Sequence, residues 1–169
     1  MKQLFAIAAA GLAIGGCATM APGPTANATL EPTKGNTAAG TVTFAQKGDK
    51  VLVTASVTGL APGSHGFHIH EKGDCSSGDG MSAGGHFNPH AKQHAAPSTP
   101  DRHAGDMPML VADASGKAEL VVELDVITIG GASDIVGRGL IVHKDPDDFR
   151  TQPTGNSGAR VACAVIRKT

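Results

Sequence analysis

Along most of this chain, apolar side chains recur at every second position rather than every third or fourth. Val51, Val53, Ala55 and Val57 alternate with Lys50, Leu52, Thr54 and Ser56, the period of a strand with one buried face. Residues 40–46, 65–71, 107–112, 117–124, 138–143 and 159–167 are also strand-like. Turn clusters separate them, as at Ala61-Pro62-Gly63 and Asp113-Ala114-Ser115-Gly116. No segment keeps an amphipathic helical period over three turns. Repeated short strands without helices predict an all-β sandwich or barrel. Two stretches break the rhythm. Residues 72–106 are rich in Gly, Pro and His, and residues 144–158 in Asp, Pro, Thr and Gly. Long irregular loops inside a compact domain are usually functional, and both of these abut histidines.

The first 36 residues follow another pattern. Residues 1–16 read as an export signal. Lys2 supplies the positive start, and residues 4–14 form an Ala-rich apolar run too short to span a membrane as a stable helix. Ile14-Gly15-Gly16-Cys17 resembles a lipobox, in which Cys17 is lipidated and becomes the mature first residue. The alternative is an ordinary signal cleaved near Ala18 or Ala21. Lipidation predicts a periplasmic protein held at the outer membrane, meeting the membrane through that lipid alone. Residues 17–36, rich in Ala, Pro, Thr and Gly, read as a flexible tether. The folded unit is then expected over 37–169, one domain by length.

Charge and composition narrow the picture. The chain carries 14 basic and 15 acidic residues, and removing residues 1–16 takes away only Lys2, leaving 13 − 15 = −2. No basic stripe is present, which argues against a nucleic-acid partner. With no Trp and no Tyr, the core must be built mainly from Val, Ile, Leu and Ala. The three cysteines are Cys17, Cys75 and Cys163. If Cys17 carries lipid, the other two form an even pair, and an oxidising compartment such as a bacterial periplasm favours a disulfide between them.

Eight histidines stand in this chain, six of them in or beside the two loops. His68 and His70 sit at i and i+2 in Gly66-Phe67-His68-Ile69-His70-Glu71. On a strand they share one face, about 6–7 Å apart along the chain, which suits two imidazoles converging on one metal. His86, His94, His103 and Asp106 make a second set. Three imidazoles and a carboxylate are the chemistry of a tetrahedral zinc site. His143 ends the run Leu140-Ile141-Val142 and would enter from another strand.

GFHIHE at 66–71, GGHFNP at 84–89, RHAGD at 102–106, VHKDPDD at 142–148 and GNSGARVAC at 155–163 resemble, in order and in most spacings, the copper,zinc superoxide dismutase family, here an exported bacterial member. The resemblance covers nearly all of 38–168. It implies an eight-stranded Greek-key β-barrel, a flattened sandwich, with two long metal-site loops outside it. It implies copper on His68, His70, His86 and His143, and zinc on His86, His94, His103 and Asp106. His86 then bridges the two ions as an imidazolate. Asp147 matches a carboxylate that orients ligand imidazoles of both sites. Arg160 matches the arginine that guides the superoxide anion to copper, and a Cys75–Cys163 disulfide braces the loop beside it. His65 and His90 match no ligand and are expected to face solvent.

The implied reaction is dismutation of superoxide to oxygen and hydrogen peroxide, with one copper and one zinc per chain and with His86 taking up a proton during the cycle. Two departures stand out. The loop between His143 and Arg160 is shorter than in eukaryotic relatives, and Pro153 stands where those relatives carry a steering lysine. Lys92, Lys144 and Arg150 are candidate replacements. The Cys75 loop also differs from its relatives, so a monomer and a homodimer are both compatible with it. Rival functions are a periplasmic copper carrier or chaperone of the same fold, a purely structural metal-stabilised barrel, and a zinc hydrolase. The chain keeps every copper ligand and the arginine, and it shows no hydrolase motif.

Overall fold

In a computed structural model, which describes residues 23–169, the chain forms ten strands and a single 3₁₀ turn, Met81–Ala83. The strands are β1 Thr25–Pro32, β2 Ala39–Lys47, β3 Lys50–Thr58, β4 Gly63–His65, β5 Phe67–His70, β6 Leu110–Ala112, β7 Ala118–Leu124, β8 Gly139–His143, β9 Arg160–Val165 and β10 Arg167–Lys168. The antiparallel order β5-β8-β9-β1-β2-β3-β7 forms the main sheet, with the short β10 also on β1 and with β4 paired to β6. β4 and β5 are one strand interrupted at Gly66. Counted once, and with β10 set aside, that strand gives the eight of the expected barrel, and β6 and β7 lie side by side where the curled sheet meets itself. No helix among the described residues is long and apolar enough to cross a membrane.

Local chemistry explains these elements. β2 and β3 are joined by Gly48-Asp49, and Gly48 sits at φ 62°, the backbone region a tight hairpin requires and glycine enters freely. In β3, Val51, Val53, Ala55 and Val57 are buried. They meet Val42 and Phe44 of β2, Phe67 and Ile69 of β5, and Leu140 and Val142 of β8 in one core. Every predicted strand segment corresponds to an observed strand.

The expected tether does not hold over its second half. Residues 25–32 form β1, a central strand between β2 and β9. Its inward positions are Ala26, Ala28 and Leu30. Two small alanines and one leucine leave a faint alternation, which the neighbouring Thr, Pro and Gly residues obscure. The ordered barrel therefore begins at about residue 25 and not at 37. The export signal at 1–16 and the lipid on Cys17 lie outside the described residues.

β5 and β8 are buried at every position. Phe67, Ile69, Leu140 and Val142 fill the core, so His68, His70, Ile141 and His143 face outward and are covered by the two long loops. The covered outer face of these two strands is where the site lies. If β1 is part of the core, Leu30→Ala should lower unfolding free energy by about 2–5 kcal/mol in denaturant titration. An unchanged midpoint would mean that this segment is only a tether.

Candidate metal centre

β5 pairs with β8 through one edge. Its other edge is taken up by the 72–109 loop. Ile69 donates its amide to the Gly105 carbonyl (3.0 Å), Phe87 to Ile69 (2.8 Å) and Gly105 to Phe87 (2.9 Å). These bonds lay His86 beside His70 and Asp106 beside His68. Gly105 is required by close approach, because a Cβ there would stand 2.2 Å from the Ile69 carbonyl oxygen. An irregular loop thus acts locally as an added strand that aims its ligands at those of β5.

The ligand atoms form two buried sets, His68, His70, His86 and His143 in one and His86, His94, His103 and Asp106 in the other. Within each set they lie within 4.8 Å of one another. His86 belongs to both, with Nδ1 2.9 Å from Asp106 Oδ1 and Nε2 buried without any hydrogen-bond partner. His68 Nδ1, His70 Nε2 and His143 Nε2 are also buried and unpartnered. Such atoms each cost about 1–3 kcal/mol when nothing satisfies them. Four imidazole nitrogens facing one point suit copper. In the second set, Asp106 Oδ1 lies 2.9 Å from His94 Nδ1 and 3.4 Å from His103 Nδ1. A tetrahedron with Zn–N bonds of 2.0–2.1 Å places its ligand atoms about 3.3 Å apart, so this donor set fits zinc.

The other ring nitrogens are held by fixed partners. Asp147 meets His68 Nε2 at 2.6 Å and His94 Nε2 at 2.9 Å, joining the two sets through a single carboxylate. Asp147 Oδ1 also accepts the Phe149 amide (2.7 Å). His70 Nδ1 donates to the Gly84 carbonyl (2.9 Å). Asp106 Oδ2 accepts the amides of Ala95 and His103, each at 3.1 Å. These contacts decide which nitrogen of each ring faces its set.

Burial pushes His86 down to about 4, its hydrogen bond to Asp106 being outweighed by burial and nearby imidazoles. Burial and the neighbouring His68 push His143 to about 3. Burial also holds His70 well below the usual imidazole range. These rings are therefore neutral at pH 7, the state in which imidazole binds metal. Burial also opposes the charge on His94, but the Asp106 and Asp147 carboxylates outweigh it and raise that ring to about 9. Burial likewise works against ionised Asp106 and Asp147, yet their imidazole partners hold both far below the ordinary carboxylate range.

Arg160 opens β9, half-buried, donating from Nη1 to the Gly80 carbonyl (2.7 Å) and from Nη2 to the Gly84 carbonyl (2.6 Å). Gly84 thereby ties the guanidinium to His70, a link with no side-chain signature in the sequence. Burial lowers the Arg160 pKa and the Asp79 carboxylate opposes this, so the group stays charged. Cys75 and Cys163 are joined in a disulfide with Cα atoms 5.9 Å apart. It fastens the loop carrying Gly80 and Gly84 to the strand carrying Arg160.

One expectation is corrected. His65 does not face solvent; it is buried, with Nδ1 2.9 Å from the His143 carbonyl and Nε2 2.8 Å from that of Ala61. Positions 65, 67 and 69 share the inward parity of this strand segment, a signal that was present in the sequence. His90 is exposed, as expected, with Nε2 3.0 Å from Ser133 Oγ.

An antiparallel barrel bearing adjoining all-imidazole and imidazole–carboxylate sets defines the class of two-metal copper and zinc proteins. The sequence model described as "Copper/zinc superoxide dismutase (SODC)" matches residues 38–166, so the chain belongs to the copper,zinc superoxide dismutase family. It is 46% identical over 134 residues to "Superoxide dismutase [Cu-Zn] 2" of Brassica juncea, covering 75% of this chain and 88% of that relative. It is 42% identical over 133 residues to "Extracellular superoxide dismutase [Cu-Zn]" of Haemonchus contortus, covering 75% and 72%. The crystal structure of the clock protein EA4 superposes with a TM-score of 0.79 at 41% identity, over 85% of this chain and 93% of that one. These relatives are a plant and a nematode protein; they carry the family and not a bacterial origin. The chain is an enzyme with copper and zinc as its cofactors, and its reaction is the dismutation of superoxide.

Without metal, His70, His86 and His143 take up protons more readily unfolded than folded. Stability should fall as pH drops below about 6.5, continuing to about 4 for His86 and about 3 for His143. His94 acts in the opposite sense: its contribution is complete below about 6.5 and is lost as pH rises through about 9. Denaturant midpoints of chelator-treated protein should therefore peak near neutrality and fall on both sides. A flat profile from pH 4 to 9 would contradict these protonation states.

Proposed function

We propose that this chain removes superoxide with copper held by His68, His70, His86 and His143, zinc held by His86, His94, His103 and Asp106, and Arg160 as the receiving cation. The carrying observation is the convergence of four buried, unpartnered nitrogens, His68 Nδ1, His70 Nε2, His86 Nε2 and His143 Nε2, next to the Asp106 set. When bound, copper supplies one-electron redox chemistry and zinc a redox-inert charge. Two superoxide anions and two protons become one oxygen and one hydrogen peroxide. Arg160 has N–H groups left after its two carbonyl bonds, and a guanidinium can orient a diatomic anion through paired donors. His86 Nε2 holds a proton between the two electron transfers and passes it to the departing peroxide, while Nδ1 stays with the Asp106 set. Asp147 keeps His68 and His94 in the ring orientation each set needs.

A carrier of the same fold would need the ligands but not a charged arginine beside them, and Arg160 favours the enzyme. We further propose that the chain is an exported bacterial protein, cut after residue 16 and anchored to the outer membrane by a lipid on Cys17, with the domain in the periplasm. Support comes from the motif around Cys17, from Cys75 and Cys163 being paired with each other, and from a relative named as extracellular. Mass spectrometry of the mature N-terminus should find lipid on Cys17; an unmodified start after Cys17 rejects the anchor.

The loaded protein should carry one copper and one zinc and dismutate superoxide, and His143→Ala should lose copper and activity together while keeping zinc. Zinc without copper in the native protein, or copper-loaded protein without activity, would overturn the proposal. Asp147→Asn should weaken metal binding about 10–100-fold, read by competition with a chelator. Undiminished affinity would mean that the Asp147 bonds to His68 and His94 do not tune the metal sites.

A further inference from the structure

The four ligands of the Asp106 set are not all held in the same way. His86 lies in register with His70 and Asp106 with His68, so β5 fixes both. His103 is fixed through its own turn. Its carbonyl accepts the Asp106 amide (3.2 Å), and its amide donates to Asp106 Oδ2 (3.1 Å). His94 has no such support. It stands within residues 91–96, which form neither strand nor turn, and among the described residues no backbone group bonds its N–H or its C=O.

Both groups are taken by one side chain from the other loop. The His94 amide donates to Gln152 Oε1 (2.9 Å), and Gln152 Nε2 donates to the His94 carbonyl (2.8 Å). The carboxamide thus exchanges two hydrogen bonds with a single residue, as a paired residue of an antiparallel ladder does. Gln152 Nε2 also donates to the Arg150 carbonyl (3.3 Å), which sets the orientation of the amide. The turn that presents Gln152 is itself fastened. Asp148 Oδ1 accepts the amides of Arg150 (2.9 Å) and Thr151 (2.8 Å), Asp148 Oδ2 accepts the Thr151 hydroxyl (2.6 Å), and Gly155 donates its amide to the Thr151 carbonyl (2.7 Å). The same segment meets the His94 ring. Asp147 Oδ1 lies 2.9 Å from Nε2, and the Phe149 ring is nearly parallel to the imidazole with centroids 6.4 Å apart. Nδ1 is left facing Asp106 Oδ1 at 2.9 Å.

We infer that Gln152 is a positioning residue for zinc: its carboxamide fixes the main chain of His94, so that this ring reaches the Asp106 set. Gln152 touches neither metal nor substrate. It is exposed, so water can replace its bonds when it is substituted, and the core is undisturbed. Water does not fix where the His94 backbone stands, so the loss falls on metal affinity. The loss is also selective. His68, His70 and His143 stand on β5 and β8, and His86 lies against β5, so copper binding does not depend on Gln152.

This role rests on zinc being held by His86, His94, His103 and Asp106. Chelator competition on the full chain, run with zinc and with copper, compares the native protein with two variants. Gln152→Met keeps the side-chain length and removes both bonds; Gln152→Glu keeps the acceptor and removes the donor. Zinc affinity should fall about tenfold in Gln152→Met, the lower end of the range for groups that orient a ligand, with copper affinity unchanged. Gln152→Glu should also weaken zinc binding, although a nearby negative charge by itself would strengthen it. Cobalt(II) placed in the zinc set should show altered visible absorption bands in both variants, because these bands report ligand geometry. Circular dichroism of the metal-free protein should show both variants folded; should Gln152→Met not fold, the sign of the Gln152→Glu change decides. Zinc affinity that is unchanged in His94→Ala defeats the zinc assignment itself. With that assignment intact, native zinc affinity in Gln152→Met, an equal fall for both metals, or tighter zinc binding in Gln152→Glu overturns the role of Gln152 alone.

Discussion

His86 turns one ring nitrogen toward three imidazole partners and the other toward Asp106, and most of the structure around it serves to keep both directions open. A lone buried imidazole would settle by pairing both nitrogens within the protein. Here Nδ1 meets Asp106 at 2.9 Å while Nε2 meets nothing in the protein. Together with three further unpartnered nitrogens around the same point, this is a polarity that apolar packing cannot satisfy. The barrel carries the cost because β5 and β8 fill its core with Phe67, Ile69, Leu140 and Val142, leaving their outward faces for ligands. Bound ions remove that cost, so folding and metal binding stabilise one another.

Three fastenings hold this arrangement in register. Backbone bonds from Ile69, Phe87 and Gly105 fix the loop along the free edge of β5. Asp147 reaches across to His68 and His94, so the two sets cannot move independently. The Cys75–Cys163 disulfide, with Gly80 and Gly84, sets Arg160 over His70. A small anionic substrate needs no large pocket. It needs a fixed cation beside a redox centre, and a field that delivers it there.

The strands were legible because period-two alternation in Val- and Ile-rich segments reflects one buried face. The ligand types and the set of His86, His94, His103 and Asp106 were legible because six of the eight histidines cluster in or beside two irregular loops, although joining His86 and His143 to His68 and His70 relied on the family resemblance. β1 was missed because Ala26 and Ala28 bury too little apolar surface to stand out. Its turn, which bonds Thr33 to Arg160 and Val161, was therefore missed too. His65 was misplaced although its parity with Phe67 and Ile69 marked it as inward. The Gly84 carbonyl was invisible because a backbone acceptor leaves no trace in residue type.

The proposed sharing of His86 between two ions is tested most directly by anomalous diffraction at the copper and zinc absorption edges. Two separate peaks are expected, copper among His68, His70, His86 and His143, and zinc among His86, His94, His103 and Asp106, with His86 contacting both. A single peak, or a copper ion not in contact with His86, would contradict it.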